Sequence, residues 1–163
     1  MTKPSSLTLF AALVLAWAGC QSQPAAPHGK TVVNYLTPEK FTDVKSTFSG
    51  PTDQGYLDAL RDHLITQAAN YIPAGQTLTL TFTDIDMAGD IDPRLRDTRV
   101  IRSIYPVRLN FSWAVTDASG KVLKEGKEEL VDVFPSAEMG YNRGDPLFSE
   151  KTEMDNWMRK HLR

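Results

Sequence analysis

Two runs of strict alternation constrain this chain more than any other feature. In Thr77–Thr83 (TLTLTFT), Leu78, Leu80 and Phe82 fall on one side and four threonines on the other. In the run from 107 to 115, Val107, Leu109, Phe111, Trp113 and Val115 share a face. An extended backbone sends successive side chains to opposite sides, so each run predicts a strand with one face buried and one face in water. The rest of the chain must supply what covers the buried faces.

Two helices are predicted to do so. Thr52 or Asp53 caps the first, along which Leu57, Leu60, Leu64, Ala68 and Tyr71 recur at intervals of three and four until Pro73 and Gly75 end it. Ser149 caps the second, whose inner stripe is Met154, Trp157, Met158, His161 and Leu162. Thr31–Leu36 (TVVNYL) predicts a further strand, after which Phe41 and Val44 tuck inward. Asp117-Ala118-Ser119-Gly120 predicts a hairpin turn into a returning strand through Val131. That strand is polar in its middle (KEGKEE), with Gly126 at a bulge, and so belongs at a sheet edge. The order β-α-β-β-β-α implies an α+β two-layer domain, a mostly antiparallel sheet of about four strands with two helices on one face.

The N-terminus is expected to be an address. Leu7–Gly19 holds one polar side chain, Thr8, and follows Lys3, which is the pattern of an export leader over residues 1–19. The run is shorter than the roughly 20 apolar residues of a spanning helix. Two processing schemes fit. Ala18-Gly19-Cys20 resembles the end of a bacterial lipobox, with Trp17 standing where an aliphatic residue is usual; Cys20 would then be lipidated and become the mature N-terminus. Alternatively, Ala16-Trp17-Ala18 fits small-x-small cleavage and would leave a soluble periplasmic or secreted protein with a free thiol. An exposed unpaired thiol is a liability in an oxidising compartment, which favours lipidation. Gln21 stands in the position that resembles the sorting residue of lipoproteins and is not Asp, which by that resemblance favours the outer membrane. The expected organisation is a leader over 1–19, a flexible tether over 20–30 from lipidated Cys20, and one domain over 31–163.

Composition excludes several classes. Hydrophobic residues are 41% and charged residues 23%, as in folded domains, and the net charge of −2 provides no basic field for nucleic acid. Aromatic and basic residues do not interleave as a nucleic-acid platform requires. One cysteine excludes a disulfide scaffold and a Cys-rich metal site. The sequence lacks G-x-S-x-G, H-E-x-x-H, Walker A and G-x-G-x-x-G motifs, and His28, His63 and His161 are scattered. No catalytic residue, cofactor or metal ligand is expected, and a binding role is favoured over an enzyme.

The candidate site is the acidic segment Asp84-Ile85-Asp86-Met87-Ala88-Gly89-Asp90-Ile91-Asp92. Against a calcium-loop template its aspartates and Gly89 match in spacing, but Ala88 and Leu95 occupy two ligand positions. The simplest expectation is a loop closed on itself: residues 84 to 102 carry five Asp and four Arg, so the aspartates would form Asx-turns and pair with Arg94, Arg96, Arg99 and Arg102. The functional expectation is a ligand- or partner-binding surface made by Asp84, Asp86, Asp90, Arg99 and Arg102. A second segment, Phe134–Phe148, is expected to cover the sheet edge or to offer Tyr141 and Phe148 to a partner.

Pro38-x-x-Phe41-Thr42-Asp43, Thr83-Asp84-Ile85-Asp86-Met87-Ala88-Gly89-Asp90, Arg99-Val100 with Tyr105-Pro106, and Glu150-Lys151 with Trp157 form an ordered set. Over essentially the whole mature domain the chain resembles the uncharacterised bacterial envelope family known as domain of unknown function 3016. The resemblance implies an exported protein, often a lipoprotein, with no assigned activity or catalytic residue. The expectation is therefore an exported lipoprotein held to the membrane by its lipid anchor. It would act as a non-catalytic periplasmic binding or envelope-assembly accessory module with an envelope protein as partner. The alternative is a carboxylate- or metal-dependent envelope hydrolase using the Asp84–Asp90 loop, which requires a concave pocket and a raised carboxyl pKa beside Asp84 or Asp86.

Overall fold

A computed structural model describes residues 28–102, 104–132 and 144–163; the leader, Cys20 and Tyr141 lie outside the described residues. The strands are β1 (Lys30–Tyr35), β2 (Thr77–Asp86), β3 (Asp90–Asp92), β4 (Thr98–Val100), β5 (Val107–Thr116) and β6 (Val122–Asp132); the helices are α1 (Gln54–Ala68) and α2 (Phe148–His161). β1, β2, β5 and β6 form one sheet in the order β1-β2-β5-β6. β2-β5-β6 is antiparallel, whereas β1 runs parallel to β2 because α1 intervenes between them. The α+β class and the edge position of β6 agree with the sequence. Sheet contacts begin at His28, which bridges Pro73, and Gly29 N donates to Ile72 O at 2.8 Å.

The alternating faces go where their period sends them. Leu78, Leu80 and Phe82 of β2 and Leu109, Phe111 and Val115 of β5 are buried, while the threonines between them are at most half-buried. Against this face α1 lays Leu57, Leu60, Leu64 and Ala68, and α2 lays Met154, Trp157 and Met158. Asp53 caps α1 as expected, accepting from Gly55 N at 2.9 Å and Tyr56 N at 3.3 Å. Phe41 and Val44 are buried. Aromatic rings run through the interior at 5.0 to 5.4 Å: Phe82 on Phe111, Phe111 on Trp157, Trp157 on Trp113. His63, on the flank of α1, pairs with Asp155 of α2 at 2.8 Å. His161 stacks on Trp157 and approaches Glu128 at 3.8 Å.

Three local expectations are corrected. Ser149 does not cap α2: it is buried inside the helix, and Asp145 anchors the entry by accepting from Leu147 N at 2.9 Å and binding Lys151 Nζ at 2.8 Å. Gly126 is not a bulge. It faces Trp113 across β5 and β6, and a Cβ there would lie 2.7 Å from Trp113 Nε1, so the position is glycine because an indole occupies the space. The β5–β6 irregularity lies at Val115/Thr116 instead. Finally, the acidic segment expected as a loop from Asp84 onward is partly strand: Asp84–Asp86 continue β2, and β3 and β4 form a small antiparallel hairpin.

Candidate functional site

Asp84 and Asp86 owe their outward position to one extra residue in β2. Pairing with β5 steps from Phe82↔Phe111 to Asp84↔Asn110, leaving Thr83 unmatched. Without that bulge Phe82, Asp84 and Asp86 would share the core face. With it Ile85 takes the core position, at 1% exposure, and both carboxylates turn out.

Asp84 is then fully engaged in holding the segment after β1. It accepts from Thr42 N at 2.7 Å and from Thr42 Oγ1 at 2.8 Å. The main chain continues the join, Asp43 N donating to Ile85 O and Met87 N to Asp43 O, each at 3.0 Å. Asp43 in turn receives Arg99 of β4 as a two-pronged pair at 2.7 and 3.1 Å, the planar guanidinium matching the carboxylate. The same guanidinium donates to Lys45 O at 2.9 Å and lies 3.5 and 3.4 Å from the carbonyls of Ala88 and Gly89. Gly89 adopts φ +81°, and a Cβ there would lie 2.5 Å from Val100 O; its N–H donates to Tyr105 O at 3.0 Å.

Glu150 of α2 supports this turn from the interior. It is completely buried, and its Oε1 accepts from Ala88 N at 2.7 Å, while Oε2 has no partner among the described residues. Burial pushes its pKa up to about 7, against the opposing pull of the Ala88 N–H and the more distant Arg99. Sequence reasoning missed Glu150, although it sits four residues before Met154 on the same stripe, because only apolar residues were counted there. It also missed Thr42 and Asp43 as site residues. Their signal lies in the Phe41-Thr42-Asp43 motif that carries the family resemblance, not in local pattern, since their partners lie more than forty positions away.

Asp86 is different. Half-buried, its carboxylate makes no hydrogen bond or ion pair among the described residues. Burial first, then the charges of Asp43 and Asp84, raise its pKa, with Arg108 and Arg99 opposing. Arg108 is its direct cross-strand neighbour on β5. A cavity of about 500 Å³ opens here, lined by Asp86, Arg108, Lys45, Phe48, Ile104 and Tyr105 among others. A smaller one of about 240 Å³ shares Phe48, Asp90 and Tyr105 and extends the groove to Arg94 and Arg102. Asp90 is exposed and its Oδ1 accepts from Ile91 N at 2.8 Å.

The expected self-pairing of the acidic segment with its own arginines does not occur among the described residues. Of those arginines the one in an ion pair is Arg99, and it takes Asp43. Asp84 is held by Thr42, and Asp92 caps its own turn through Arg94 N at 2.9 Å. The five candidates thus separate: Asp84 and Arg99 hold the wall of the groove, while Asp86, Asp90 and Arg102 line it. No group of three or more His, Cys, Asp or Glu that could hold a metal ion occurs among the described residues. Nor is any helix there long and apolar enough to cross a membrane.

Residues distant in the chain therefore meet at one place: Thr42 and Asp43, Asp84 to Gly89, Arg99, Tyr105 and Glu150. A family model described as protein of unknown function (DUF3016) matches residues 29–160, which includes every one of them. No curated protein matches the chain.

Proposed function

The chain belongs to the DUF3016 family, and from that premise we propose that it is an exported lipoprotein, anchored through Cys20 on the periplasmic face of the outer membrane, acting as a non-catalytic binding module. The observation that carries the binding role is the groove at the end of β2. Its walls are tied by Thr42–Asp84 and Asp43–Arg99, while Asp86 and Arg108 face it with no ion pair between them among the described residues. A half-buried charge left without a partner has an energetic cost, and a rigid concave setting with few convergent polar groups is what a ligand site needs. The groove is presented to an envelope partner. Cross-linking in intact envelopes followed by recovery of the anchored protein tests this: the wild type brings down a partner that Asp86→Asn and Arg108→Gln lose while staying folded. Equal recovery by folded variants removes the groove from the account. Incorporation of labelled palmitate into the wild type but not Cys20→Ala tests the anchor.

A hydrolase is the second reading, supported by the raised carboxyl of Asp86 in a concave site. Against it, two of the neighbouring carboxylates are already engaged, Asp43 by Arg99 and Asp84 by Thr42, while Asp90 accepts from Ile91 N through Oδ1 alone. Turnover of an envelope substrate that Asp86→Asn abolishes would favour this reading over the binding module.

A further inference from the structure

The charges in the groove are of both signs, and their spacing restricts what can satisfy them. Asp86 and Arg108 stand directly opposite each other on β2 and β5, so their side chains rise from the same face of the sheet. Cross-strand residues of opposite charge ordinarily pair. Here they line the cavity without forming an ion pair among the described residues. Beside them one part of the lining is apolar, with Phe48 56% exposed, Ile104 69% and Tyr105 39%, next to the polar Thr42, Asp43 and Asp90. Three large apolar side chains gathered round one charged cavity are a patch, which scattered single exposures are not. Lys45 adds a second cation to the lining.

Resting on the binding reading above, we propose that the groove takes a free α-amino acid with an apolar side chain. Its ammonium would lie on Asp86, its carboxylate on Arg108, and its side chain against Phe48, Ile104 and Tyr105. An α-amino acid carries both charges on one carbon, which suits a cation and an anion held on adjacent strands. A ligand with one charge would leave the other member of the pair desolvated and unanswered. Asp43 does not compete for the ammonium because Arg99 already neutralises it.

Calorimetric titration of the purified full chain with L-phenylalanine, N-acetyl-L-phenylalanine, L-phenylalanine amide and L-serine tests the proposal. L-Phenylalanine is expected to bind, and each blocked form to bind at least about tenfold more weakly, since each loses a charge-assisted contact. L-Serine loses the apolar contact and is also weaker. Asp86→Asn should abolish the discrimination against the acetylated form, and Arg108→Gln that against the amide. Absence of binding by L-phenylalanine at millimolar concentration, or equal binding of the blocked forms, overturns the proposal; both results come from the wild-type protein and need no variant to fold. If a partner is cross-linked through the groove and lost in Asp86→Asn while L-phenylalanine does not bind, the amino-acid inference fails and the binding module stands. If neither binds, both fail.

Discussion

Arg99 reaches Asp43 across fifty-six positions of sequence and grips both carboxylate oxygens, at 2.7 and 3.1 Å, with the two side chains only 12% and 18% exposed. This pair fastens the β3–β4 hairpin to the segment that follows β1, and the carbonyls of Lys45, Ala88 and Gly89 complete the setting. Removing one member leaves the other charge poorly solvated, a penalty of about 3–5 kcal/mol when burial is complete. With the residual exposure seen here, Asp43→Asn or Arg99→Met is expected to cost roughly 2–4 kcal/mol in urea unfolding. A loss below about 1 kcal/mol would mean that the clamp contributes little.

Glu150 predicts a pH dependence. Its pKa is about 7 in the fold and 4.5 as the unperturbed value. A carboxyl raised by folding is better protonated in the native state, so its contribution is fully present below the unfolded value and disappears as pH rises through about 7. The interval corresponds to about 3 kcal/mol. Glu150→Gln stays neutral and can still accept from Ala88 N. Its stability should match the wild type near the acid end of this window and exceed it above the upper end, by up to about 3 kcal/mol. Urea melts at both ends measure the difference, and parallel curves for the two proteins would refute the assignment.

Gly126→Ala is expected to destabilise by roughly 1–3 kcal/mol, the cost of forcing atoms into a filled space. The new Cβ would meet the Trp113 ring at 2.7 to 3.2 Å. That ring cannot simply retreat, because Trp157 stands 5.4 Å away and Trp113 Nε1 donates to Glu128 at 3.1 Å. A shift in tryptophan emission should accompany the loss. An unshifted spectrum at wild-type stability would show that the position tolerates a side chain.

The elements that were legible in the sequence are those whose information is local. Leu78-Leu80-Phe82 and Val107 through Val115 alternate because they sit on a sheet with one covered face, and Asp53 marks its helix because a cap bonds to the very next turn. What was not legible depends on distance or on one residue of register. The unmatched Thr83 turns Asp84 and Asp86 outward, and no pattern in T-F-T-D-I-D announces it. The role of Asp43 depends on Arg99, which lies on the β3–β4 hairpin, and proximity in sequence to the acidic segment does not make its arginines partners of its aspartates. The three-residue strands β3 and β4 are too short to show a period. Asp86 and Asp90 were singled out from their positions in the acidic run; that they face one groove with Arg108 follows only from the cross-strand register.

Asp86→Asn separates a residue that serves the fold from one that serves a ligand. If the carboxylate supported the structure, its loss would destabilise. It makes no hydrogen bond or ion pair among the described residues, and burial and the charges of Asp43 and Asp84 raise its pKa in the fold. By the linkage already applied to Glu150, the ionised form is then a burden that grows as pH rises through the carboxylate range. Replacing it with a neutral isostere should leave stability at neutral pH unchanged or raise it by roughly 0.3–1 kcal/mol, the scale of charge interactions partly screened by water. Thermal melts near pH 7 and near pH 4 decide the matter. A gain at neutral pH that vanishes at the acid end fits a ligand-directed carboxylate, and a loss of more than about 1 kcal/mol at neutral pH would make Asp86 a structural residue.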